Sequence, residues 1–66
     1  MLSPRERDVL VGVTRGETNK QIALSLGISP RTVETHRESL MDKLGIRTVA
    51  GLTKLAMAEG LLGDLP

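Results

Sequence analysis

The side chains able to do chemistry crowd into one short stretch. Ser29, Arg31, Thr32, Glu34, Thr35, His36, Arg37 and Glu38 together mix hydroxyls, cations and carboxylates. A metal or acid–base role would fall to His36, the only histidine, in a chain without cysteine. A metal needs several ligands, and proton transfer needs a partner group and a pocket. No nucleophile–base pair and no phosphate-binding glycine loop accompanies it, so no enzyme, cofactor or metal site is expected. His36 is instead expected at the edge of a helix interface, donating to a backbone carbonyl or a phosphate. The same cluster on one helix face would suit a nucleic-acid duplex. Cations and free backbone N–H groups hold phosphates, while threonine and carboxylate groups meet base edges. The plainer alternative is a solvated polar face, which every surface helix has.

Composition narrows the choice. The chain has 66 residues and no Phe, Tyr or Trp, so it offers no stacking platform for single strands. Its net charge of +1 is low for a DNA binder, so the arrangement of charges has to carry the argument. Without cysteine it gains nothing from disulfides, which fits a reducing cytoplasm. No apolar run approaches the ~20 residues of a membrane span, and no signal-peptide pattern opens the chain. A single soluble domain over residues 1–66 is expected.

Four helices must position the cluster, spanning about residues 3–15, 18–26, 29–44 and 48–59 by their start and stop signals. Ser3 to Glu6 reads as a capping box with Pro4 in the first helical position, and Val9, Leu10 and Val13 follow before Gly16. Thr18 and Gln21 form a second box ahead of Ile22, Ala23 and Leu26, and Gly27 stops the run. Ser29-Pro30 opens the third helix, whose stripe is Val33, Leu40 and Leu44 with Met41 beside it, up to Gly45. The fourth starts near Thr48, carries Val49, Leu52, Leu55 and Ala56, and ends at Gly60; Leu61 and Leu62 could fold back on the core. No segment alternates with the period of a strand, so the fold class is all-α. Glu6 reads as a structural cap or as the partner of an arginine at the core edge.

Helices two and three are joined by only Gly27-Ile28-Ser29. A glycine-containing turn that short makes two helices cross steeply, the signature of a helix-turn-helix, and apolar Ile28 pins the turn to the core. An ordinary helical corner would look the same. In the third helix an inward stripe leaves Glu34, Thr35, Glu38 and Asp42 outward, with parts of Arg31 and Arg37. That N-terminal half is the part of a recognition helix that enters the major groove, and its amides favour a phosphate.

The blocks Leu2-Ser3-Pro4-Arg5-Glu6-Arg7-Asp8-Val9-Leu10, Asn19-Lys20-Gln21-Ile22-Ala23, Ser29 through Arg37, and Met41-Asp42-Lys43-Leu44-Gly45 resemble, in order and spacing, the LuxR-type (GerE-like) DNA-binding domain. The nearest flavour is the output domain of NarL/FixJ-type response regulators. The resemblance implies a four-helix bundle with the helix-turn-helix in helices two and three, and a fourth helix able to pair with a second copy on DNA. It also implies a fragment of a larger regulator whose receiver or ligand-binding domain lies upstream, a stand-alone regulator of the GerE type being the exception.

On this resemblance, Glu34, Thr35 and Glu38 occupy the base-reading positions. Glu38 is the awkward member, because relatives often carry a small or basic residue there; a specificity filter and a helix-surface salt bridge both remain open. Thr18, Asn19, Lys20, Arg31, Thr32, His36, Arg37 and Lys43 are the candidates for the DNA backbone. Val49, Ala50, Thr53 and Met57 are small or apolar and stand outside the main stripe of helix four; dimerisation and spare core contacts both suit them. The expected partners are double-stranded DNA and a second copy, read as two half-sites about one helical turn apart. The rivals are a protein-interaction module contacting RNA polymerase or its own receiver, another helix-turn-helix lineage such as a sigma-factor domain, and an enzyme.

Overall fold

A computed structural model describes residues 2–58. They form four helices, α1 (Pro4–Thr14), α2 (Asn19–Leu26), α3 (Pro30–Leu44) and α4 (Val49–Ala58). Among the described residues there is no strand, so the chain is all-α. The expected starts, and the expected ends of the first three helices, agree with these to within a residue, the caps being included in the sequence reading. The expected stop of the last helix at Gly60 and the folding back of Leu61 and Leu62 lie outside the described residues. No described helix is long and apolar enough to cross a membrane.

The starts are chemical. Ser3 Oγ accepts the Glu6 N–H at 3.1 Å while the Glu6 carboxylate accepts the Ser3 N–H at 2.8 Å. Thr18 and Gln21 repeat the exchange at 3.1 and 2.8 Å. Ser29 Oγ accepts the Thr32 N–H at 3.1 Å, and Thr48 Oγ1 the Gly51 N–H at 3.0 Å. Each satisfies amide donors that a helix N-terminus otherwise leaves without partners.

The stops share one device. After α2, Gly27 takes a left-handed conformation with φ 69°, which costs glycine little, and the Ile28 N–H reaches back to the Ala23 carbonyl at 3.0 Å. After α3, Gly45 and the Ile46 N–H to the Met41 carbonyl at 3.1 Å repeat the closure. In both cases the isoleucine following the glycine packs on the core, so the turn and the core fix each other.

The core is Val9, Leu10, Val13, Ile22, Ala23, Val33, Leu40 and Leu52, with α1 packed against the other three helices. Ala56 is buried as well. One close approach was not legible in the sequence. Gly12 is buried, and a Cβ built on it would lie 2.7 Å from Ile22 Cγ1, so α1 and α2 meet where no side chain fits between them. The inner stripe of α4 is Leu52 and Ala56 with half-buried Leu55, and Val49, 46% exposed, stands outside it as expected. Val49 is the first residue of α4, on a turn that no described residue buries.

Candidate nucleic-acid interface

The turn Gly27 to Ser29 sets α3 against α2, and burial of Val33 and Leu40 fixes which face of α3 turns outward. Outward are Arg31, Thr32, Glu34, Thr35 and Glu38, all exposed. Four of them, Arg31, Glu34, Thr35 and Glu38, line one open concavity. The expected base-reading set is therefore on a single surface, with Arg31 at its edge. The Thr35 hydroxyl donates to the Arg31 carbonyl at 3.2 Å, leaving the oxygen lone pairs and the methyl group for a ligand. Thr32 Oγ1 shares a hydrogen with Ser29 Oγ at 2.9 Å.

Within the backbone-contact set the surroundings differ. Lys20 on α2 is exposed. Thr18 is the α2 cap, its hydroxyl oxygen already accepting from Gln21. Arg37 Nη1 donates to Asn19 Oδ1 at 2.7 Å, which ties the middle of α3 to the start of α2. Because a guanidinium has five N–H donors, that bond leaves Arg37 further donors for a phosphate. His36 is half-buried.

Lys43 has a more specific partner than solvent. Its Nζ lies 2.8 Å from Glu6 Oε1. Glu6 is 4% exposed and also accepts from the Ser39 hydroxyl and the Ser3 N–H. The cap reading of Glu6 is correct; its cation, however, is a lysine on α3 and not an arginine, because the carboxylate points from α1 at the last turns of α3. Ser39 was missed entirely, and a lone serine between polar neighbours gives no sequence signal of such a role.

This environment shifts a proton equilibrium. The hydrogen bond from Lys43, then those from Ser39 and the Ser3 N–H, pull the Glu6 pKa from 4.5 down to about 2, against the opposing effect of burial. A depressed folded-state pKa contributes stability that is complete above the unfolded value of 4.5 and lost as pH falls through about 2. Glu6→Gln is therefore expected to destabilise the fold at neutral pH, with the gap to the parent chain narrowing between pH 4.5 and about 2. Urea titrations followed by far-ultraviolet circular dichroism at pH 7, 4 and 2.5 measure it; a gap constant with pH would refute the charged role of Glu6.

On α4, Val49, Ala50 and Met57 are exposed, Met57 by 67%, and Thr53 is half-buried. The four lie along one side of the helix, apart from the buried Leu52 and Ala56. A second apolar feature was not anticipated. Leu24 is 77% exposed and shares a shallow groove with Lys20, Ala23, Gly27, Ile28 and Pro30. Among the described residues no cluster of metal-ligating groups occurs.

Residues 1–56 match the family described as bacterial regulatory proteins, luxR family. Over 64 residues the chain is 51% identical to the transcriptional regulatory protein MctR of Rhizobium johnstonii, covering 97% of this chain and 30% of that protein. It is 46% identical over 63 residues to the transcriptional regulatory protein FixJ of Bradyrhizobium diazoefficiens, covering 96% and 31%. Over 60 residues it is 42% identical to the response regulatory protein YgeK of Escherichia coli, covering 91% and 41%. The chain thus spans about a third of the length of these curated relatives. No solved structure matches it. With four capped helices, a glycine turn between the second and third, and a match over nearly its whole length, the chain belongs to the luxR family of bacterial regulatory proteins, as a DNA-binding domain of the transcription-regulator type and not an enzyme.

Proposed function

We propose that this domain binds double-stranded DNA sequence-specifically, as a pair of copies, and is the output end of a two-component regulator working in the cytoplasm. The observation that carries it is the outward face of α3, where Arg31, Glu34, Thr35 and Glu38 line one concavity beside exposed Lys20 on α2. In this reading α3 lies in the major groove. Glu34, Thr35 and Glu38 meet base edges. Thr18, Asn19, Lys20, Arg31, Thr32, His36, Arg37 and Lys43 hold the backbone around them. Val49, Ala50, Thr53 and Met57 of two copies meet across a two-fold axis. The relatives are about three times as long as the stretch they share with this chain, which supports an additional receiver or sensor domain upstream.

Selection from a random duplex library at near-physiological salt tests the reading. A motif of two half-sites about one turn apart is the expected result, and no enrichment at all refutes it. Lys20→Ala should weaken binding to every duplex alike and lower the salt slope by about one unit. An unchanged slope removes Lys20 from the phosphate contacts.

A second reading has one observation in its favour. The groove around exposed Leu24 is apolar and lies beside the DNA-facing helix, which suits contact with RNA polymerase or with the domain's own receiver. Leu24→Ala separates the two: loss of transcription activation with DNA binding intact would assign the groove to a protein partner.

A further inference from the structure

Glu34 and Glu38 are an odd pair of side chains to turn toward a polyanion. Both are exposed, and both line the concavity on α3 with Arg31 and Thr35. Neither forms an ion pair among the described residues. The ion pairs among the described residues are Arg5 with Asp8 and Lys43 with Glu6. Arg37, the cation one residue before Glu38, donates instead to Asn19. A salt bridge on the helix surface therefore does not account for Glu38. Each carboxylate would be repelled by phosphates unless it met a donor on the DNA.

The donors available in the major groove are few. Cytosine presents only its N4 amino group there; adenine presents N6–H beside the N7 acceptor; guanine and thymine present acceptors. A carboxylate accepts without donating, so cytosine suits it best, adenine less because N7 repels it, and guanine and thymine not at all. Spacing adds a second condition. Residues four apart on a helix are separated by about 6 Å along its axis, and two base-pair steps of a duplex rise about 6.8 Å.

Resting on the proposed reading of α3 as the helix in the groove, we propose that Glu34 and Glu38 form a two-point cytosine reader. The half-site then carries cytosine amino groups at two positions two base pairs apart, with Thr35 between them. The same charges repel duplexes lacking those amino groups, so they raise discrimination while lowering affinity for DNA in general. Discrimination at each position should be about tenfold, within the range of a specific base contact.

The test is the same random-duplex selection, run on the parent chain and on Glu34→Gln and Glu38→Gln. Both positions are exposed, so folding should be unaffected. A glutamine amide accepts from adenine N6 and donates to N7. Each substitution should therefore switch one position of the motif from cytosine to adenine, the two switched positions lying two base pairs apart. Affinity for unrelated duplex should rise several-fold in both. An unchanged motif with tighter binding to all sequences would overturn the proposal, showing that the carboxylates only repel. So would an equal loss across all sequences, or a parent motif without the two cytosines. A parent chain that enriches no motif would instead bring down the DNA-reading function itself, a failure distinct from these.

Discussion

Replacing Leu40 by alanine is expected to leave the chain largely unfolded or close to it at room temperature. Leu40 is fully buried on the inner face of α3, within the cluster that joins α1, α2 and α4. Truncating such a leucine removes its transfer free energy and leaves a cavity, at about 2–5 kcal/mol. A domain of this size has in total only about 3–10 kcal/mol of stability. With no cysteine to cross-link the unfolded chain, nothing else makes up the difference. The control lies one helix away: Leu24→Ala removes the same atoms from a side chain 77% exposed and should change stability by no more than about 0.5 kcal/mol. Urea denaturation followed by circular dichroism measures both, since the chain has no Trp or Tyr to report by fluorescence. Similar effects from the two substitutions would mean that α3 is not held by the core described above.

Val49→Asp should abolish paired binding to DNA while the single copy stays folded. Val49 is the first residue of α4 and 46% exposed, so its side chain contributes little to the core. An acidic residue in the first turn of a helix is favoured by the macrodipole, so α4 itself should lose nothing. In the proposed pair the new carboxylate would face its own symmetry copy in an apolar contact. An unpaired charge buried there costs about 3–5 kcal/mol, or about two to four orders of magnitude in the affinity of the second copy. Gel-shift titration on a two-half-site duplex would then show only the single-copy complex. Survival of the doubly bound complex would remove α4 as the pairing surface, leaving the DNA-facing role of α3 untouched. Taken with the Leu40 result, the two substitutions separate what holds the domain together from what joins it to a second copy.

Helix starts and stops were legible without coordinates because the chemistry that makes them is local. Ser3 with Glu6, Thr18 with Gln21 and Ser29 with Thr32 are each three residues apart, and their hydrogen bonds follow from that spacing once a helix begins. The glycines at 27 and 45 end helices for an equally local reason, and the outward set Glu34, Thr35 and Glu38 follows from the phase of Val33 and Leu40 along one helix. Other features depended on how the helices pack. Glu6 meets Lys43 across 37 positions of sequence, and Arg37 meets Asn19 across 18. Gly12 is needed because Ile22 of another helix lies where its side chain would be, and Leu24 is left out of the core although it sits beside the buried pair Ile22 and Ala23. Periodicity tells a helix which side to bury, but not which residue of which neighbour that side will meet. That pairing is set by the crossing of whole helices, so only the tertiary structure decided that, of the two exposed candidate phosphate-binding lysines, Lys43 is paired with a buried carboxylate.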